Sequence, residues 1–129
     1  MKDIQNIHDI DTLVKTFYSR LLKDELLGPV FLKTDSFSLE KHIPIINQFW
    51  YSVIFSESTY KGNPMLVHLE LNKRLPINDL HFKQWLSFWN ATVDELFEGP
   101  FALKAKEKAM SIGQLMQLKI NQQRKWGIE

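Results

Sequence analysis

The sequence predicts an all-α domain, and three observations lead there. Apolar residues recur every three or four positions over four separate stretches, no stretch keeps the two-residue period of a strand for long, and Gly28–Pro29 and Gly99–Pro100 stand where helices would stop and start. The 129 residues make one domain, 1–129, of about average size. Surface scaling has such a chain bury roughly two thirds of its unfolded surface, enough for a core without disulfide or metal staples. No repeat, linker or low-complexity segment interrupts it.

The first stripe reads Ile10, Leu13, Val14, Phe17, Leu21 and Leu22, the spacing of one helix face. Asp9 and Asp11 lie at its start, where carboxylates satisfy free N–H groups and suit the helix dipole. Gly28 and Pro29 place its end near Leu27. Lys33 to Ser38 is a polar loop. A second helix is written in Leu39, Ile43, Ile46, Phe49, Trp50, Val53 and Ile54, with Pro44 inside it. A proline there removes a backbone donor and crowds the preceding turn, so either a kink or a true start close to Ile43 is expected. Glu57 to Asn63 is a connection, and Pro64 to Leu71 has room only for a short helix bearing His68 before Pro76. The third long stripe is Phe82, Trp85, Leu86, Trp89, Val93, Leu96 and Phe97, capped by Asn78 or Asp79 and ended by Gly99. Pro100 suits the first position of a last helix, whose apolar face is Ala102, Ala105, Ala109, Ile112, Met116 and Ile120. Gly113 costs that helix about 1 kcal/mol relative to alanine, which points to close packing on a neighbour.

Composition excludes more chemistry than it proposes. There is no cysteine, so disulfides, thiolate zinc sites, iron–sulfur clusters, a catalytic thiol and covalent CxxCH haem attachment are all ruled out. Sixteen basic and fifteen acidic residues are spread along the chain and give no footprint for nucleic acid or an anionic membrane. No run of eighteen apolar residues exists, and the charged start MKDIQNIHDID does not read as a signal peptide, so a cytoplasmic protein is expected. His8, His42, His68 and His81 include no pair three or four apart, and phosphate-loop, dinucleotide and nucleophile-elbow motifs are missing. What remains is isolated histidines among apolar helices rich in aromatic rings: nine Phe, four Trp and three Tyr. Such rings fill a core or line a cavity for a flat apolar ligand, and composition does not choose. A macrocycle that supplies four ligands of its own asks only one of the protein. Haem is the cofactor that fits this scarcity.

The segments LVKTFYSRLLKDELLGPVF, EKHIPIINQFWYSVIF, YKGNPMLVHLELNKRLP, HFKQWLSFW and TVDELF resemble, in order and spacing, the truncated globins of the third group, over about residues 9 to 120. The absence of any Gly-Gly pair also favours that group over the first and second. The resemblance implies a shortened globin fold, two helices over two, around a non-covalent haem b. It further implies that His68 in MLVHLEL is the proximal iron ligand, that Tyr18 in FYSRL and Trp85 in QWLSFW face a bound ligand from above the iron, that His42 in EKHIP stands at the pocket entrance, and that Phe31 packs on the haem face. The function it implies is binding of dioxygen, nitric oxide and carbon monoxide at ferrous iron, with an unidentified reductase to return ferric iron to the ferrous state. Two donors aimed at the ligand suit slow release, and hence chemistry or detoxification rather than delivery. Nitric oxide dioxygenase and peroxidase-like activities both fall within that expectation.

Each of these residues has a plainer reading without the resemblance. Tyr18 and Trp85 are core aromatics as readily as ligand contacts, and a lone histidine such as His68 or His42 is commonly solvated or structural. His81 competes with His68 for the iron, but the resemblance places it in the HF pair that is frequent in the family at the start of a helix, a structural place; His8 precedes the first stripe. Lys73 and Arg74 would pair with haem propionates or simply face solvent. A haem-free helical interaction domain is the alternative of a different class.

Overall fold

The computed structural model describes residues 1–29, 39–55 and 79–125, the side chains of residues 39 and 119–125 excepted. Within them lie four helices and no strand: α1 (Ile7–Leu21), α2 (Leu39–Phe55), α3 (Asp79–Leu96) and α4 (Pro100–Lys125). Helix α1 packs on α2 and α3, while α4 packs on α2 and α3 from the other side. The result is a pair, α1 with α2, lying over a second pair, α3 with α4. Each predicted stripe contributes to one core: Ile10, Leu13, Val14, Phe17 and Leu21 of α1 join Trp50 and Ile54 of α2, Phe82, Trp89 and Val93 of α3, and Ala102, Ala105, Ala109 and Met116 of α4.

Helix boundaries follow from local bonding. Asn6 caps α1, its side-chain oxygen accepting from the Asp9 N–H at 3.0 Å, while the Asp9 carboxylate accepts from the Gln5 N–H at 2.9 Å. The cap is thus reciprocal and starts the helix earlier than the two aspartates alone imply. At the far end α1 stops at Leu21, six residues short of the Leu27 expected from Gly28 and Pro29. The reason is Asp24. Its carboxylate accepts from the Leu26 and Leu27 N–H groups at 3.0 and 2.9 Å, so it opens a new turn rather than extending the old one. Gly28 then follows because its α-carbon lies against the Leu22 carbonyl: a Cβ there would come within 2.6 Å of that oxygen. Of the two outcomes foreseen for Pro44, a start near Ile43 is not what forms. Helix α2 begins at Leu39 and runs through the proline.

Polar links fix the helices laterally. The Asn47 amide, buried on α2, donates to Asp11 of α1 at 2.8 Å. Lys15 beside Asp11 holds that carboxyl below its ordinary value despite its partial burial, and the Asn47 bond adds to the effect. Arg20 pairs with Glu95 at 2.7 Å, and Gln84 donates to Asp24 at 3.2 Å, tying α1 and its following turn to α3.

The start of α4 is capped from a distance. Asp3, ninety-odd positions earlier, accepts from the Phe101 N–H at 2.9 Å and the Ala102 N–H at 2.8 Å, filling the free donors of the first turn. Gly99 makes the approach possible. Its φ of 145° suits glycine, and a Cβ would lie 2.5 Å from the Asp3 carboxyl carbon. Accordingly, Asp3→Ala should lower the unfolding free energy by about 1–2 kcal/mol, the usual cost of losing such a cap. Gly99→Ala should cost at least as much, because it strains the backbone and expels the same carboxylate. Urea unfolding of the two single variants and the double variant checks this: if one carboxylate links them, the double falls short of the sum.

Candidate functional site

Tyr18, His42 and Trp85 come from three different helices, and the described structure shows how each is held. Tyr18 lies on α1 next to Phe17 and is 7 % exposed. Burial pushes its hydroxyl well above the ordinary tyrosine value. Trp85 lies on α3, half-buried, one turn before the fully buried Trp89. Both tryptophans are anchored through Phe17, whose ring meets Tyr18 edge-on at 5.0 Å, Trp85 at 6.2 Å and Trp89 at 5.2 Å between centroids. One phenylalanine, 1 % exposed, is therefore the common neighbour of the tyrosine and the indole singled out from the sequence. Its own role did not show in the sequence, where it reads as one more position of the α1 stripe.

Trp85 also faces α4. A Cβ built on Gly113 would lie 3.7 Å from the Trp85 ring, an ordinary van der Waals contact. The close packing expected at Gly113 is present, with Trp85 as the neighbour, yet alanine would fit there.

His42 stands in the second turn of α2, half-buried and two positions before Pro44. At helical spacing it shares a face with Ile46, Phe49 and Val53, all half-buried, while the adjacent face carrying Asn47, Trp50 and Ile54 is buried in the core. Helix α2 thus turns one apolar stripe inward and leaves a second one partly open, headed by a histidine. His8 is exposed and His81 is half-buried at the start of α3. His68, Phe31, Lys73 and Arg74 lie outside the described residues.

A partly open apolar stripe, a half-buried indole and a buried hydroxyl are side chains that suit a flat apolar group. Two neutral N–H and O–H donors suit an acceptor that carries partial negative charge. Among the described residues no group of three or more His, Cys, Asp or Glu side chains is placed to hold a metal ion. Among them, too, no helix is long and apolar enough to cross a membrane.

Replacing Phe17 by leucine removes three ring contacts at once. It should destabilise the fold by about 1–3 kcal/mol and weaken the near-ultraviolet circular dichroism of the tryptophans. Denaturant titration with that signal as probe is the measurement.

No family model matches the chain. It is 28 % identical over 95 residues to a group 3 truncated hemoglobin of Campylobacter jejuni, a match that spans 71 % of this chain and 72 % of that protein. Its fold matches the crystal structure of a group III truncated hemoglobin from Campylobacter jejuni with a TM-score of 0.79 at 27 % identity, covering 93 % of this chain and 95 % of the other.

Proposed function

From a chain that is a homologue of third-group truncated haemoglobins and carries their fold, we propose a globin-type protein that holds haem b non-covalently and binds diatomic ligands at ferrous iron. The observation that supports this reading is the seating of Tyr18 and Trp85, two side chains with neutral donors from different helices, against one buried ring, Phe17. His68 is the proximal ligand in this reading, and Phe31 packs against the macrocycle. Bound haem supplies an iron centre that takes dioxygen, nitric oxide or carbon monoxide and shifts electron density onto dioxygen.

The chain's own residues decide how long a ligand stays. The Tyr18 hydroxyl, neutral and buried, donates to an acceptor that carries partial negative charge. The Trp85 indole N–H is a second donor and, unlike a histidine, has no acceptor state to compete. His42, on the partly open stripe of α2, regulates entry. Two fixed donors favour slow release, which suits ligand chemistry or detoxification over delivery. A separate reductase returns the iron to its ferrous state.

An absorption spectrum after haem addition tests the reading directly: a stoichiometric Soret band is expected, and its absence would leave the haem-free interaction domain. Within the loaded protein, His68→Ala should abolish the proximal bond, whereas His81→Ala should keep a normal ferrous-carbonyl spectrum. The reverse result would move the ligand to His81. A hydrogen bond to a charged acceptor is worth roughly 1.5–3 kcal/mol, so Tyr18→Phe and Trp85→Phe should each speed dioxygen release by about ten- to a hundred-fold. Carbon monoxide carries little charge when bound and should respond much less. Stopped-flow dissociation reads both, and wild-type rates in both variants would reduce the two rings to core packing.

A further inference from the structure

Three of the chain's four tryptophans form a connected path that begins at Trp85 and continues into the core through two indoles that ligand binding does not use. Trp85 meets Phe17, Phe17 meets Trp89, and Trp89 lies on Trp50 with ring centroids 4.3 Å apart and planes 20° from parallel. The last contact differs in kind from the others, which are edge-to-face. Two indoles in near-parallel overlap share an electron vacancy between their π-systems, and a positive charge on one ring is drawn to the face of the other. The pair is also shielded: Trp89 is 1 % and Trp50 is 4 % exposed. Trp89 donates its indole N–H to the Ala105 carbonyl at 3.2 Å, inside the core. An amide carbonyl does not take the proton, but its negative end faces the ring and favours a positive charge there.

We propose that the stacked Trp50–Trp89 pair is an internal one-electron donor, reached through Phe17 and Trp85, that serves reduction of a peroxide at the haem. The proposal rests on the haem reading above and extends it to a further activity. Its balance is simple. Hydrogen peroxide takes two electrons and two protons as its O–O bond breaks, and becomes two waters. Ferrous iron supplies one electron on becoming ferric, the indole pair supplies the other and is left as a cation radical, and both protons come from solvent. Trp85 is the half-buried end of the path and the stacked pair its buried end, so the vacancy settles away from water and from diffusing reactants.

The test adds one equivalent of hydrogen peroxide to the ferrous, haem-loaded protein and freezes it rapidly for electron paramagnetic resonance. An organic radical signal is expected that narrows when the chain carries ring-deuterated tryptophan. It should be lost in Trp50→Phe and in Trp89→Phe, and persist in Tyr51→Phe. The labelled wild-type chain needs no substitution, so the test does not depend on the variants folding; near-ultraviolet circular dichroism verifies those separately. A signal that ignores tryptophan deuteration overturns the proposal. So does one that narrows but survives unchanged in both tryptophan variants, which would place it on another indole. Failure of the haem reading shows differently, as a missing Soret band before any peroxide is added.

Discussion

The edge-on contact of Phe17 with two indoles of the neighbouring helix, Trp85 and Trp89, sets how α1 lies over α3, and much else depends on it. Phe17 is nearly inaccessible, so its ring has no freedom to swing, and Tyr18 beside it on the backbone inherits that rigidity. Trp89 is fixed twice, by Phe17 on one side and by its bond to the Ala105 carbonyl of α4 on another, and so carries the orientation of α1 through to the lower helix pair. Trp50 lies flat on Trp89 and brings α2 into the same arrangement. A core of alternating edge and face contacts is directional in a way that a core of leucines is not. Four helices joined through such rings have few ways to slide.

Much of this was legible in the residues. The four stripes placed the four helices because a 3.6-residue period with one buried face is the strongest pattern a soluble helix writes. Pro100 and Gly99 marked the junction of the last two helices for reasons of backbone geometry that hold wherever the residues occur. What the pattern missed were long-range or competitive effects. The early end of α1 depended on Asp24 turning its carboxylate back on its own backbone, a local bond that competes with helix and leaves no trace in hydrophobic periodicity. The continuation of α2 through Pro44, the sixth residue of the helix, shows that a single missing donor is a small loss against the packing of Asn47, Trp50 and Ile54 below it.

The candidate site was legible in a different way. Tyr18, His42 and Trp85 were singled out by their place in ordered segments, and each carries a reading as ordinary core when taken singly. Burial alone would not have separated them from their neighbours, since Phe17 and Trp89 are more buried than either Tyr18 or Trp85. Tyr18 differs from Phe17 by a hydroxyl in an apolar setting, and Trp85 differs from Trp89 in being half-buried, where the Trp89 N–H is already bonded to the Ala105 carbonyl. Phe17, which positions both, could be recognised only from the folded arrangement.

The remote cap of α4 has a consequence for how the chain comes together. Asp3 closes a loop of nearly the whole sequence, and so distant a contact forms only after the intervening helices have docked, because closing the loop costs more entropy than one cap returns. Until then the first turn of the longest helix, 26 residues, has donors with no acceptor and frays. The amide protons of Phe101 and Ala102 are therefore a clock for completion. Their protection from exchange reports the moment at which the beginning of the chain is seated, even though both residues belong to its last helix.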